Sequence, residues 1–316
     1  MRQKGPDMAA RNALQPPRAG PSIRQIAGDF IRRELQKAQQ ASCQLKMTCS
    51  LKAQVNAVHD IRVGARRIRL ALAAFRDELP KKLRRRLSRK MHKLQDQASL
   101  VRDLDVWQTE LSRLQQGRRY QKAITFALIN ATTQRRLRAK RLYQSSARLL
   151  ADDFWQRAAK QLRKSLSKRH RSARDGLEDL MRAQLPQRLS RLEEALEHAG
   201  GSDMAALHQT RIAAKQARYS LEIFVDCCPA ALSRQTLRYL KEIQDALGNL
   251  HDYRTFAGLS RNLAKDAHAD QETCVNLERL ARHFDQRATH QERAFAVLRT
   301  KPAAIALLRS SCRQKN

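Results

Sequence analysis

Glycine, proline and aromatic side chains are all scarce in this sequence. Its 316 residues include 10 glycines and 8 prolines, and Phe, Trp and Tyr together make up 5%. Because residues that break helices are few and no run of alternating β-branched residues could support a sheet, the composition predicts an all-α fold. The low aromatic content disfavours proteins that bind single-stranded nucleic acid by stacking bases on aromatic platforms.

Long apolar runs and metal-binding cysteine patterns are also absent. No uncharged apolar stretch reaches the length of about 18 residues that is needed to span a membrane. The N-terminal segment lacks the apolar core of a secretory signal. The six cysteines form no CxxC pair and show no spacing typical of zinc ligands. We therefore expect a cytoplasmic protein with free thiols, no metal and no cofactor.

Positive charge is what the sequence has in excess. Lys and Arg number 63 against 30 Asp and Glu, which gives a formal net charge of +33 at pH 7. A surface this basic repels itself and favours a polyanionic partner. The candidate partners are nucleic acid, an anionic membrane surface and a phosphate polymer.

A tandem repeat with an offset of 149 residues runs through the chain. VHDIRVGARRIRLALAAF at 58–75 aligns without gaps with LHQTRIAAKQARYSLEIF at 207–224, and the match extends to Asp103 and Asp252. Such a repeat predicts two similar helical bundles related by a pseudo-twofold axis. The predicted units are a flexible basic tail at 1–20, a first half at about 21–150, a bridging helix at about 153–175, a second half at about 176–300 and a tail at 301–316.

Periodicity and helix breakers define the helices in each half. Pro80 and Pro229 separate the second helix from the third, and GGSD at 200–203 is a turn followed by an N-cap. We also expect a break before Asp103 and before Asp252. The predicted helices are 22–46, 51–79, 81–99, 103–116 and 118–150 in the first half, and 176–199, 203–227, 230–247, 252–265 and 268–299 in the second.

The best-matched helix carries an apolar seam and, one residue further along, a basic stripe. The seam has heptad-like spacing, and the stripe is displaced from it by about 100°, which places the stripe at the margin of the core-facing side. The seam residues are Val58, Ile61, Ala65, Ile68, Leu72 and Phe75, matched by Leu207, Thr210, Ala214, Ala217, Leu221 and Phe224. The stripe residues are His59, Arg62, Arg66 and Arg69, matched by His208, Arg211, Lys215 and Arg218.

A second basic row lies on the following helix. Its members are Arg85, Arg89 and His92, matched by Arg234, Arg238 and Lys241. Both copies keep a basic residue at every one of these positions although they diverge elsewhere, which a freely drifting solvated face does not explain. We therefore expect the stripes and rows of both halves to line one central groove. A solvated face stays an open interpretation for the basic run at 163–174.

The histidines predict a pH dependence. His59 has Arg62 and Arg66 beside it on one helix face, and their charges disfavour its protonated form. A bound phosphate chain would favour the imidazolium, which donates hydrogen bonds from both ring nitrogens. We therefore expect binding to take up protons near neutral pH and to strengthen as the pH falls.

These residues carry a resemblance to the CHAD family, the conserved histidine α-helical domain. VHDIRVGARRIRLALAAF…RDLDV and LHQTRIAAKQARYSLEIF…EIQDALGNLHD resemble the two motif blocks of that family, over about 22–300. Ala98-Ser99 stands where the family usually has Leu-Gly before the Arg-Asp-Leu-Asp-Val segment, whereas Leu247-Gly248 keeps that pair. The resemblance implies two helical bundles around a basic cavity, binding of inorganic polyphosphate by the two stripes, and association with polyphosphate granules.

Three functions compete. Non-catalytic binding of inorganic polyphosphate is favoured, because arginine forks match phosphate oxygens and this polymer has no bases to stack. Histone-like nucleic-acid binding is the alternative, although no helix-turn-helix, zinc-finger or basic-zipper pattern is present. A metal-dependent phosphohydrolase is the least favoured, since such enzymes assemble several carboxylates around their ions and the matched positions here are mostly cationic. Its candidate residues are His59, His208, Asp103, Asp105 and Asp252.

Overall fold

The computed structural model describes residues 22–117, 120–167, 176–200, 203–265 and 269–313. These residues are helical with no strand, so the predicted all-α class is confirmed. The first half consists of α1 (Ile23–Met47), α2 (Leu51–Ala74), α3 (Lys81–Gln115), α4 (Gln121–Ala151) and α5 (Phe154–Ser167). The second half consists of α6 (Leu177–His198), α7 (Met204–Phe224), a 3₁₀ turn (Val225–Cys227), α8 (Ala230–Ala264), α9 (Gln271–Arg299) and α10 (Ala303–Ser311).

The order of helices repeats along the chain. α3 and α8 are each 35 residues long, begin directly after Pro80 and Pro229, and start 149 residues apart. Proline suits the start of a helix because its fixed φ is compatible with the first turn, where its missing N–H is not needed. α5 and α10 also start 149 residues apart. The sequence repeat is therefore a repeat of helices as well, while the pseudo-twofold axis stays a prediction.

The predicted break before Asp103 is wrong, and so is the break before Asp252. α3 continues through Ala98 and α8 continues through Gly248. A Cβ atom at Gly248 would meet no other atom within 4 Å, so neither space nor a turn requires glycine there. The apolar spacing continues across both points, with Val101 buried after Ala98. Both aspartates therefore lie in the middle of long helices and cap nothing.

The structure describes most of one of the two predicted tails and part of the predicted bridging helix. Residues 301–316 contain α10, which packs against α6 and α8 and buries Ile305 and Leu308. The apolar run of α10 therefore joins the core, although the segment is predicted as a tail. The predicted tail at 1–20 lies outside the described residues. Of the bridging helix at 153–175, the structure describes α5.

The apolar seams fix the rotation of α2 and α7. Every predicted seam residue is buried, from Val58 to Phe75 on α2 and from Leu207 to Phe224 on α7. Burying one large aliphatic side chain contributes about 1.5–3 kcal/mol, so the seams hold each helix in one orientation. The stripes are therefore held at the margin of the core. α2 and α7 also contact each other, which brings the two stripes together.

A second, smaller core lies between α3, α4, α8 and α9. It includes Trp107, Phe256 and Phe284, all buried. This core anchors the C-terminal halves of α3 and α8. Those halves begin beside the stripes. Among the described helices, none is long and apolar enough to cross a membrane.

Candidate polyanion-binding site

The two stripes converge where α2 meets α7. Arg66 Nη1 donates a hydrogen bond to Tyr219 Oη at 2.9 Å, across the boundary between the repeats. Lys215 lies close enough to Arg62 and Arg66 for their charges to perturb it. We name this group the central cluster. Its members are His59, Arg62, Arg66, Arg102 and Asp103 from the first repeat, and His208, Arg211, Lys215, His251 and Asp252 from the second.

Lys215 reports the strength of the positive field in the central cluster. Burial, followed by the charges of three arginines, lowers the pKa of Lys215 from 10.5 to about 7. The three are Arg211, Arg66 and Arg62, so two of them belong to the other repeat. A nearby anion would favour the charged form of this lysine. The charge of Lys215 is therefore sensitive to pH and to an anionic ligand in the neutral range.

Arg62 and Arg211 occupy equivalent positions and share one unusual feature. The Nε–H of each is buried and has no hydrogen-bond partner among the described atoms. Burial also lowers the pKa of both side chains, that of Arg62 to about 10. Leaving a buried donor unpaired costs about 1–3 kcal/mol. Oxygen acceptors placed at this point would remove that cost on both repeats.

Two equivalent aspartates face these arginines from α3 and α8. Burial raises the pKa of Asp103, and it raises the pKa of Asp252 to about 6, although Arg62 and Arg211 act on both in the opposite direction. Asp103 is nevertheless reachable by solvent. A side chain that is surrounded by protein yet accessible lies in a concave surface. The central cluster holds more basic groups than carboxylates, so it keeps a net positive charge.

The pKa values of two histidines of the central cluster, His59 and His251, are shifted toward the neutral form. Burial, followed by the charges of Arg62 and Arg102, lowers the pKa of His59, which confirms the direction expected from the sequence. Burial and Arg211 lower the pKa of His251 to about 4. Both rings would gain a proton more readily beside a bound anion.

Arg69 and Arg218 are held in the same way in the two repeats. Arg69 Nη1 donates to Gln95 Oε1 at 2.9 Å, and Arg218 Nη1 donates to Gln244 Oε1 at 3.2 Å. Arg218 also pairs with Glu222 through a 3.0 Å contact from Nε. The far ends of the two stripes therefore share an arginine–glutamine hydrogen bond, but among the described residues only the Arg218 end also has a carboxylate paired with its arginine.

The second basic row does not join the central cluster as one continuous lining. The first-repeat members are Arg85, Arg89 and His92, which line an open groove of about 990 Å³ between α2, α3 and α6. We name this space the outer groove. Arg69, the last residue of the α2 stripe, also lines it, so the stripe reaches the outer groove at this end. The second-repeat members are Arg234, Arg238 and Lys241, which are exposed on α8 and do not line the outer groove.

Four residues of the phosphohydrolase hypothesis lie in the central cluster, namely His59, His208, Asp103 and Asp252, whereas Asp105 lies apart from them. Asp105 is buried and pairs with Arg135 of α4, with Oδ1 and Nε 2.5 Å apart. Asp103 and Asp252 face arginines instead. Within the described part of the chain, no group of three or more His, Cys, Asp or Glu side chains is placed to hold a metal ion.

Arg102, His251 and Tyr219 belong to the candidate site but are not among the residues predicted from the sequence. Arg102 and His251 are equivalent in the repeat, and each directly precedes a matched aspartate, which is a usable signal. The expected break before Asp103 separated them from the stripes, whereas the continuous helices bring them beside the stripes. Tyr219 gave no signal, because its counterpart is Leu70.

Comparisons with known proteins agree with this architecture. A sequence model of the CHAD domain matches residues 47–261. The structure of the CHAD domain from the plant Ricinus communis is similar, with a TM-score of 0.61, 17% identity and coverage of 94% of each chain. The structure of PptA from Streptomyces chartreusis also has a TM-score of 0.61, with 16% identity, covering 89% of this chain and 100% of that one. At such identities, these two structures establish a shared fold. No curated protein matches the chain significantly.

Proposed function

Because this chain belongs to the CHAD domain family, we propose that it binds inorganic polyphosphate at the central cluster and does so without catalysis. The family is associated with polyphosphate, which supports a polyphosphate-related role at that level. One observation carries the finer proposal. Two basic stripes from separate repeats meet at the α2–α7 contact, and each contributes a buried arginine donor that lacks an acceptor.

The chemistry of a phosphate polymer fits this surface. Phosphate oxygens accept the N–H donors of Arg62 and Arg211, and guanidinium–phosphate hydrogen bonds are among the strong ones. The polymer's negative charge would also offset the repulsion that lowers the pKa of Lys215. A stripe of ten residues is about 15 Å long, so it can follow several phosphates in a row.

The surface suits a phosphate polymer better than a nucleic acid. Tyr219 is the aromatic side chain that contacts the stripes, and it already accepts a hydrogen bond from Arg66. The Arg66 guanidinium carbon also lies 5.9 Å from the centre of the Tyr219 ring. Base stacking needs a free aromatic face, whereas phosphate binding needs only the cations.

A binding titration with labelled polyphosphate tests the proposal. The informative variant changes Arg62, Arg66, Arg211 and Lys215 to alanine. Because charge-assisted hydrogen bonds contribute about 1.5–3 kcal/mol each, we expect the affinity to fall by at least about 100-fold. The control variant removes the same number of cations from an exposed surface, by changing Arg279, Arg282, Arg293 and Lys301 to alanine. It should bind within about threefold of the native protein, as expected for exposed charges. Equal losses in both variants would contradict the proposal.

Two further measurements separate the alternatives. Duplex DNA that displaces labelled polyphosphate at equal phosphate concentration would favour histone-like binding. Incubation with long polyphosphate and Mg²⁺, followed by sizing of the chains on a gel, tests catalysis. Progressive shortening would favour an enzyme, whereas unchanged lengths are expected.

Association with polyphosphate granules is the cellular part of the proposal. Fluorescently tagged protein should co-localise with granules in the cytoplasm. The four-alanine variant of the central cluster should be diffuse. A native protein that is diffuse in granule-containing cells would contradict granule association and leave the binding proposal to the titration.

A further inference from the structure

The outer groove is lined by many positively charged side chains that do not belong to the central cluster. It is open to solvent and lies between α2, α3 and α6. Five of the arginines that line it are Arg84, Arg85 and Arg89 from α3 and Arg188 and Arg191 from α6. Like charges on facing walls repel each other, so this arrangement is favourable only beside something anionic.

The arginines of the outer groove are not neutralised by the protein. Within the described ranges, none of these five forms an ion pair with a carboxylate. The acidic residue that lines the groove is Asp77, and it pairs with its neighbour Arg76 at 3.3 Å. Burial and the charge of Arg191 lower the pKa of Arg188, as expected for unpaired cations on one wall. The groove is therefore a concave cationic surface.

The second repeat provides an internal comparison: it keeps the counterparts of Arg85 and Arg89 but lacks the other three of these five charges. Arg84 corresponds to Ser233, and Arg188 and Arg191 of α6 correspond to Gln39 and Ser42 of α1. Ser233 and Ser42 are fully buried, so they belong to packed interfaces rather than to a groove wall. Duplication of the fold alone does not produce the outer groove. The charges of Arg84, Arg188 and Arg191 are specific to one side of the molecule.

Arg69 connects the outer groove with the central cluster. It is the last member of the α2 stripe, about 10 Å from Arg62 along the helix axis, and it also lines the groove. A linear anion lying along the stripe therefore reaches the groove at this end. The other repeat has an acidic residue at the equivalent point, because Glu222 stands where the groove has Ala73 and pairs with Arg218. Its carboxylate also pairs with Arg67 of α2 at 3.2 Å, so it occupies donors of two arginines that a phosphate chain would otherwise use there.

We propose that the outer groove is a second binding segment for the same phosphate polymer, so that the protein favours long chains over short ones. This inference rests on the proposed function. A chain that fills the central cluster and continues past Arg69 makes its second set of contacts intramolecularly, which raises affinity without a second ligand. A chain that spans one stripe occupies the central cluster alone. The chain leaves on the Arg69 side, because Glu222 opposes it on the Arg218 side.

Titrations with two defined polyphosphate lengths test this proposal, one matching a single stripe and one several times longer. The groove variant changes Arg84, Arg85, Arg89 and Arg191 to glutamine. Its affinity for the short chain should stay within about threefold of native, whereas its affinity for the long chain should fall about tenfold or more. The charge-matched control changes Arg279, Arg282, Arg293 and Lys301 to glutamine. It should leave both affinities within about threefold of native.

Each result has a defined reading. The outer-groove proposal is overturned if the groove variant loses affinity equally for both chain lengths. It is also overturned if the control variant loses as much affinity for the long chain as the groove variant does. A native protein that binds neither length overturns the proposed function itself. A groove variant that loses competition by duplex DNA but keeps long-chain affinity overturns the choice of polyphosphate as the occupant. If the four-fold variant does not fold, the exposed single change Arg191→Glu gives the same length-dependent test.

Discussion

At the ends of the two stripes, Arg69 and Arg218 donate hydrogen bonds to matching glutamines. Past these two arginines, the surfaces of the two repeats differ. The hydrogen bonds to Gln95 and Gln244 measure 2.9 and 3.2 Å. Outward from Arg69 lies the outer groove, while outward from Arg218 lies Glu222. The comparison shows that the stripe arginines and the glutamines that hold them are alike in both copies. Surfaces formed on one side only have diverged.

The helix pairs behind the central cluster differ in the same way. In the first repeat Asp105 and Arg135 form a buried ion pair between α3 and α4. The second repeat has Arg254 and Phe284 at these positions, and Phe284 packs against Phe256 with ring centroids 5.4 Å apart. Arg254 pairs with Glu292 of α9 instead, at a more accessible position than the Asp105–Arg135 pair. The same helix contact therefore contains a buried ion pair in one repeat, and an aromatic pair with a more accessible ion pair in the other.

The largest expected effect comes from breaking that ion pair. Asp105→Ala leaves Arg135 buried without its partner, which should lower the free energy of unfolding by about 3–5 kcal/mol. Urea denaturation measures this. The double variant Asp105→Leu/Arg135→Met should recover most of the loss, because it removes both buried charges. A single variant within about 1 kcal/mol of native would show that the pair does not contribute as its burial implies.

Much of the fold followed from the sequence, because burial depends on spacing. The seam from Val58 to Phe75 is buried as the heptad-like pattern predicts. The break before Asp103 was wrong, because the apolar positions continue through Leu94, Ala98 and Val101, and this packing outweighs the turn expected there. Local breaker signals are weaker than a continuous buried face.

Only part of the candidate site could be predicted. Matched positions identified Arg62 and Arg211, because an internal repeat compares side-chain types directly. The same comparison could not separate the outer groove from the central cluster. That separation depends on how α6 packs against α2 and α3, which places Arg188 and Arg85 in the lining of one groove. An alignment of two copies contains no such information.

A change of intermediate size makes the two stripes more alike. Lys215 occupies the position of Arg66, and with a pKa of about 7 it is largely uncharged at pH 8. A bound polyanion raises that pKa, so binding takes up a proton and affinity strengthens as the pH falls. We expect about a fivefold gain from pH 8 to 7 through Lys215. Below pH 7, Asp252, with a pKa of about 6, acts in the same direction as it becomes neutral.

Lys215→Arg separates these contributions. Arginine stays charged through this range, so the variant should lose most of the pH dependence above pH 7 and keep the part below it. Dissociation constants measured from pH 6 to 9 decide this. Parallel curves for the native protein and the variant would show that another group, such as His59, dominates.

The smallest expected effect concerns the matched glutamines. Gln95→Ala and Gln244→Ala each remove one hydrogen bond that orients a stripe arginine, which should weaken binding by about two- to threefold, the lower end of a hydrogen bond's net contribution. Gln244 also donates to the carbonyl of Ala214 at 3.0 Å, so its replacement should lower stability by about 1 kcal/mol in addition. Polyphosphate titration and thermal denaturation measure the two effects. A loss of affinity confined to one variant would contradict the functional equivalence of the stripes.

The stoichiometry of binding tests the central claim most directly. Calorimetric titration with a short polyphosphate should give one high-affinity chain per protein. The half-site variants Arg62→Ala/Arg66→Ala and Arg211→Ala/Lys215→Ala should each weaken that single event, since both stripes hold the same chain. Two equal and independent chains per protein, with each half-site variant removing one of them, would contradict a site shared between the repeats.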